Sequence, residues 1–302
     1  MAWLLVAMAV NACATPFIFT QIDVPGAAAT QALSINNGGQ VVGFFEDTMA
    51  RDHGFLDTAG SFTPIDVPGA IVTQANGIND AGQIVGLFQD VTGHEHSFLN
   101  SGGSFTTIDV PGAQVTLAFG INDADEIVGY SSDAVGHQRG FLYSGGAFTT
   151  IDVPGAILTE ARGINNAGQI VGVFDYGDGN GDHGFLDMGG IFTQIDVPGA
   201  LATAAFGVNN AGQVAGLFQD TKAHQYGFLD AGGALTTISV PTSSFSEALD
   251  INDAGQIVGI FANSGFLATP TVPEPGTLLL IVPALLGISG LRIRSARVSQ
   301  ES

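Results

Sequence analysis

Cysteine occurs once in 302 residues, at Cys13, so no intramolecular disulfide can form, and a chain cut after Ala14 keeps no thiol nucleophile. Basic side chains are almost as scarce, with 7 Lys and Arg against 28 Asp and Glu and a formal net charge of −21. Only Arg51, Arg139, Arg162 and Lys222 fall within residues 15–268, which hold 26 of the acids. A body this negative repels phosphates, which excludes nucleic acid as a partner. Charged residues make up only 12% of the chain, yet aliphatic residues, 21 Phe and 43 Gly recur in a strict pattern, so disorder is excluded too. No G-x-S-x-G, H-E-x-x-H or phosphate-binding loop occurs, and no catalytic residue is assigned.

What recurs is the anchor Ile-Asp-Val-Pro-Gly-Ala, beginning at Ile22, Ile65, Ile108, Ile151 and Ile195, with a decayed copy at Ile238. The intervals are 43, 43, 43, 44 and 43 residues, the signature of one supersecondary unit used repeatedly. Each unit reads as four short strands: in the second copy, a at 73–79, b at 83–88, c at 97–99 and d at 105–110. The a–b turn is Asn79-Asp80-Ala81-Gly82, the c–d turn is Gly102-Gly103, and Val110-Pro111-Gly112-Ala113 closes the unit as a type II turn. At the a–b turn of the third copy Asp125 replaces Gly, a residue type that tolerates positive φ.

Four antiparallel strands in about 43 residues fit one blade of a β-propeller. Pro64 lies in a d strand, which agrees with d at a blade's edge. The body opens with a lone d strand, residues 17–24, and ends at 268 with an a–b–c set that has no d. Joining the two gives an all-β, six-bladed propeller over residues 15–268, closed by its N-terminal strand, with no loose sheet edge to cap.

In such a ring the a strands line the channel. The positions that vary among copies are Gln31, Gln74, Leu117, Glu160, Ala204 and Glu247, then Leu33, Asn76, Phe119, Arg162, Phe206 and Leu249. All six histidines precede the Gly or Ser of strand c by one or three residues, the parity of the core Phe, and read as framework side chains packed between blades, with metal binding at His94 and His96 as the alternative. No cofactor is expected. The one candidate is calcium in the longest b–c loop, where Asp175, Asp178, Asn180 and Asp182 offer oxygen ligands between glycines, although His183 stands where a calcium loop places Gly.

The Gly-Ile-Asn-Asp-x-Gly step and the His-small-Phe steps His53-Gly54-Phe55, His96-Ser97-Phe98 and His183-Gly184-Phe185 resemble the HAF-type extracellular repeat over residues 17–267. Arg139 and Tyr226 replace the His in two copies. The resemblance implies an exported repeat protein of no settled activity.

The ends carry addresses. Residues 1–14 are apolar and finish in Ala12-Cys13-Ala14, a signal peptidase pattern; a lipobox ending at Cys13 is the other reading. After a linker at 269–276 holding Val272, Pro273, Glu274, Pro275 and Gly276, an apolar segment at 277–291 precedes Arg292, Arg294 and Arg297. These three parts resemble a PEP-CTERM sorting signal, occupying the linker and residues 277–302. The resemblance implies processing by an exosortase-type enzyme in a Gram-negative bacterium that makes exopolysaccharide. Fifteen helical residues rise only about 22 Å against a hydrocarbon core of about 30 Å, so the transmembrane helix is a marginal anchor, and its arginines orient the C-terminus to the cytoplasm.

The expectation is a non-enzymatic protein of the outer surface or extracellular matrix, with exopolysaccharide or other surface proteins as partners and only transient membrane attachment. The alternative is a secreted propeller enzyme, a glycan lyase or hydrolase or a lactonase-like protein, using calcium.

Overall fold

The computed structural model describes residues 17–241 and 243–271. The signal segment with Ala12, Cys13 and Ala14, the motif at 272–276, the apolar segment at 277–291 and Arg292, Arg294 and Arg297 all lie outside the described residues. Among the described residues no helix is long and apolar enough to cross a membrane.

Twenty-four strands fill the described residues, and Phe17–Thr269 is one compact unit. After β1 (Phe17–Ile22), the chain makes four-stranded meanders. The first is β2 (Ala29–Ile35), β3 (Val41–Glu46), β4 (Asp52–Thr58) and β5 (Ser61–Ile65); the second is β6 (Val72–Ile78), β7 (Ile84–Gln89), β8 (Glu95–Ser101) and β9 (Ser104–Thr107). Next come β10 (Val115–Ile121), β11 (Ile127–Ser132), β12 (Gln138–Ser144) and β13 (Ala147–Ile151), followed by β14 (Leu158–Ile164), β15 (Gln169–Asp175), β16 (His183–Met188) and β17 (Phe192–Ile195). A further set is β18 (Ala202–Val208), β19 (Val214–Gln219), β20 (Gln225–Asp230) and β21 (Leu235–Ile238). The final β22 (Glu247–Ile251), β23 (Ile257–Phe261) and β24 (Ser264–Pro270) take β1 as their fourth member, in the order β1-β24-β23-β22. The architecture is an all-β propeller.

One count is corrected. The expectation of separate four-stranded sheets throughout fails: the described residues form four such sheets and one of eight strands. The eight-stranded sheet joins β10–β13 to β14–β17 through a single parallel pair, Gln138 with Leu158. Strand c is also longer than expected, Glu95–Ser101, because the b–c hairpin stays paired out to Gln89 and Glu95. Strand d is shorter, because the chain after Thr107 turns toward the next meander, where the Val110 amide donates to Thr116 Oγ1 at 3.0 Å.

Apolar burial lies mainly between meanders. Val42, Leu56 and Ile65 of the first pack with Ala75, Ile78, Ile84 and Phe98 of the second, and Ile22 and Val258 of the last sheet pack with Ala32, Ile35, Val41 and Phe55 of the first. Phe55, Phe98, Phe185, Phe228 and Phe266 are buried almost completely, each contributing about 1.5–3 kcal/mol of transfer free energy. Each has a b-strand glycine opposite, as in Gly86 with Phe98. A Cβ on Gly86 would lie 2.0 Å from the Gln74 carbonyl oxygen, so only glycine lets strands a and b close beneath the Phe ring.

Candidate functional site: the bulge-lined channel

In every pairing of strand a with strand b, one residue is left over. The register breaks between Ala32 and Ser34, Ala75 and Gly77, Ala118 and Gly120, Ala161 and Gly163, Ala205 and Gly207, and Ala248 and Asp250. The bulged residues are Leu33, Asn76, Phe119, Arg162, Phe206 and Leu249. A bulge re-aims its side chain out of the pleat, a device common beside functional sites. All six line one cavity of about 500 Å³ on the axis of the propeller. A second cavity of about 390 Å³ shares Arg162, Phe206 and Leu217 with it and adds Glu160, Asp182 and Ala204.

The frame around this cavity is built from the a–b turns. The side-chain amides of Asn36, Asn79, Asn122, Asn165 and Asn209 each donate to the backbone carbonyl of the equivalent Asn in the next repeat, and Asn252 donates to Asn36, all at 2.9–3.2 Å. A second circle runs through the next residue. The backbone amides of Asn37, Asp80, Asp123, Asn166, Asn210 and Asp253 each donate to the Oδ1 of the following member at 2.7–2.9 Å. The acids at this mouth therefore hold the frame together rather than standing free.

Inside, the polar residues fall into two groups. Arg162 pairs with Glu160, lies 4.1 Å over the Phe119 ring and 5.8 Å from that of Phe206, and its buried Nε has no hydrogen-bond partner among the described residues. Gln74 donates to Asp52 at 2.6 Å and Asn76 to the Ala118 carbonyl at 2.9 Å. Glu247 differs: among the described residues its carboxylate has no hydrogen-bond partner, and burial holds its pKa above the ordinary carboxylate range, with Arg162 pulling back. Asp250 occupies the position that is Gly or Ser in the other repeats. Its Oδ2 accepts from Ser34 Oγ at 2.6 Å and the Ile35 amide at 3.0 Å, and its Oδ1 accepts from the Ile251 amide at 2.8 Å. Enclosure still pushes its pKa up to about 6.

The two variable sets of a-strand positions thus separate. The bulge set faces the channel in full, whereas of the first set Gln31, Gln74 and Glu247 line the larger cavity and Glu160 and Ala204 the smaller. The b-strand residues Phe44, Leu217 and Ile260 also line the larger cavity and were not anticipated. Their shared place directly after the invariant b-strand glycine was the available signal. Asp250 was missed because a lone acid among Gly and Ser at one register position reads as drift.

His53, His96 and His183 lie on strand c at the parity of the core Phe, with partners within their own repeat rather than between blades, whereas His94, His137 and His224 fall before the strand begins. His53 stacks on Phe45 with ring centroids 5.3 Å apart and bonds Asp66 at 3.1 Å; His96 stacks on Phe88 at 5.1 Å and bonds Asp109 at 2.7 Å. His183 stacks on Phe174 and bonds Asp196 at 3.0 Å. Where Arg139 replaces His it bonds Asp152 at 2.5 Å, and where Tyr226 replaces it the partner position is Ser239. The Asp109 hydrogen bond, assisted by Asp90, raises the His96 pKa. His94, His137 and His224 belong to b–c turns, each held by the loop Asp four residues before it.

In the longest b–c loop the oxygens turn on their own chain. Asp175 Oδ1 accepts from the Gly177 amide at 2.7 Å, and Asp178 accepts from the Asn180 amide at 2.9 Å and side chain at 2.8 Å. Asp182 lies apart at the smaller cavity, its pKa raised by burial and by Asp175. Among the described residues no group of three or more His, Cys, Asp or Glu is arranged to hold a metal ion.

No protein-family model and no curated protein matches this sequence. Solved structures do resemble the fold. The chain is similar to AofleA from Arthrobotrys oligospora, with a TM-score of 0.51 and 14% identity over 84% of this chain and 86% of that one. It is similar to the Aleuria aurantia lectin, described as a six-bladed β-propeller with a novel mode of fucose recognition, at a TM-score of 0.50 and 14% identity over 82% and 99% of the two chains. It is also similar to virginiamycin B lyase from Staphylococcus aureus, at a TM-score of 0.50 and 11% identity over 84% and 100%. At these identities the likeness carries the fold alone, and the fold is a β-propeller.

Proposed function

We propose that the protein is a non-enzymatic binding propeller of the cell surface or extracellular matrix, with six blades and a ligand site in its channel. The observation that carries this reading is the set of bulges. An invariant frame presents six bulged side chains into one cavity, and all six vary from copy to copy, as do Gln31, Gln74 and Glu247 beside them. A framework held constant while its inward residues vary is how a scaffold displays a binding site. The blade count is supported by the two hydrogen-bond circles, which pass through six repeats before closing, with the eight-stranded sheet counted as two blades. The N-terminal segment and the Pro-Glu-Pro motif support export and exosortase-type processing, and the acidic surface suits a hydrated polysaccharide matrix.

Glu247 supports a second reading as a channel enzyme, a glycan lyase or hydrolase or a lactonase-like protein, since an unpaired carboxylate with a raised pKa is a general-acid candidate. One experiment separates the two. Purified protein is incubated with the host's exopolysaccharide fraction, and both co-sedimentation and the appearance of new chain ends are followed. Retention without chain cleavage, weakened at least tenfold by Arg162→Ala, supports the binder. Cleavage abolished by Glu247→Gln establishes the enzyme and overturns it.

A further inference from the structure

We propose that the channel takes an organic monocation with an apolar body, its positive charge set against Glu247. This rests on the reading of the channel as a binding site and names the chemistry of its ligand.

The argument starts from the charged groups that face the channel. Among the described residues Arg162 is the one cation that lines the channel, and it is already committed: Glu160 matches its charge, Phe119 covers one face of its guanidinium, and its unpaired Nε is buried out of a ligand's reach. It has little to offer an anionic ligand. The oxygens of Asp250 are taken by Ser34, Ile35 and Ile251. At the mouth, Asp80, Asp123 and Asp253 are tied into the frame but keep their formal charge, so the entrance favours cations over anions. Glu247 remains, a carboxylate on the wall with no hydrogen-bond partner or ion pair among the described residues, the charge of Arg162 acting on it only from a distance.

The surroundings of Glu247 decide the rest of the ligand. Four of the six bulge residues are Leu33, Phe119, Phe206 and Leu249, and Phe44 and Ile260 join them on the b strands. A carboxylate desolvated among such side chains is costly until an opposite charge meets it. A neutral polar ligand leaves that cost in place, and an anion adds to it. A cation removes it, and Phe rings within reach add a cation–π contribution. An inorganic ion fits poorly, because no group of three or more ligating His, Cys, Asp or Glu side chains is assembled among the described residues. A volume of about 500 Å³ is of the size that encloses a small organic molecule.

The test uses the full-length protein and three probes that share one ring: benzyltrimethylammonium, benzyl alcohol and benzoate. Binding is measured by titration calorimetry and by amide chemical shifts. Benzyltrimethylammonium binds at least tenfold more tightly than benzyl alcohol, benzoate does not bind, and the shifts fall on Glu247, Phe119 and Phe206. Glu247→Gln removes the tenfold advantage of the cation, whereas Leu249→Trp, which narrows the cavity without touching charge, weakens both bound probes alike. The shift map needs no variant, so a misfolded substitution leaves the question decidable. Benzyl alcohol or benzoate binding as tightly as the cation overturns the charge assignment while the channel stands as a binding site. Cation binding untouched by Glu247→Gln, or shifts confined to the outer loops, also overturns it. No binding by any probe removes both the ligand class and the channel site.

Discussion

Asp250 shows how one side chain is drawn away from its ordinary chemistry. At equivalent positions Gly77, Gly120 and Gly163 leave no room, since a Cβ there would approach the neighbouring repeat's carbonyl oxygen to 2.3, 2.9 and 2.4 Å. Where the last repeat meets the first, Ser34 and Asp250 replace glycine and bond to each other. The pKa rises from 3.8 to about 6, so the ionised form costs the fold about 2–3 kcal/mol, a penalty absent below pH 3.8 and complete above pH 6. Asp250→Asn is therefore expected to raise stability by about 1–2 kcal/mol at pH 8 and to change it little at pH 4. Denaturant titrations at the two pH values check this; equal destabilisation at both would show that the carboxylate is needed for its hydrogen bonds and not burdened by its charge. A second expectation concerns Ala50 and Ala223, held at φ 58° and 65° in b–c turns where other repeats have Gly93 and Gly136. Replacing either by Gly should stabilise by about 0.5–1 kcal/mol, because a side chain in the left-handed region is strained. A lower melting temperature in both variants would count against that strain.

Among the strands, β1 has the largest task, because it is the one member of its sheet drawn from the other end of the repeat body. Phe17 is buried, Phe19 meets the Phe266 ring edge-on at 5.6 Å, and Gln21 donates to Ser264 at 3.0 Å. Phe17→Ala is expected to cost about 3–5 kcal/mol. Deleting residues 15–24 should go further, leaving the outer edge of β24 unpaired and open to pairing between molecules. Light scattering after size-exclusion chromatography decides it: a monomeric deletion variant with unchanged melting would show that β1 does not close the sheet. This pairing was legible in the sequence because the split unit left three strands at one end and one at the other. Strand type and turn chemistry were legible for the same reason, since Asn, Gly, Phe and Pro recur at fixed offsets. The bulges were not. Alternation with a period of two cannot reveal an inserted residue, so Gln31 and Leu33 looked equivalent although the bulge re-aims the second alone. The Asp partners of the histidines were hidden similarly, thirteen residues away across a hairpin whose register the sequence does not state.

Charge acts on the protein in two opposing directions, and together they set where it is most stable. Loop aspartates Asp47, Asp90, Asp133 and Asp220 accept hydrogen bonds from their turns, as Asp178 does from Asn180, and their pKa values are lowered from 3.8. Their contribution is present above pH 3.8 and is lost as pH falls below it. Asp250 and Glu247 have raised values and act oppositely: each favours the fold while protonated, and Asp250 loses this as pH rises through about 6. His96, with its pKa raised above 6.5 by Asp109, contributes below 6.5 and loses that contribution as pH climbs through its folded value. The formal charge of −21 adds repulsion that grows as the remaining carboxylates ionise and the histidines discharge. Three effects therefore weaken the fold toward neutral and alkaline pH, and one weakens it below about pH 4, which places the stability maximum at about pH 4–6. Because repulsion between exposed charges is screened over about 10 Å in 0.1 M salt, added sodium chloride should raise the melting temperature at pH 8 more than at pH 5. Melting curves across pH 3–9 at low and high salt test both statements. A maximum at or above pH 7.5, or a salt effect as large at pH 5 as at pH 8, would mean that the acidic surface is already neutralised by bound cations.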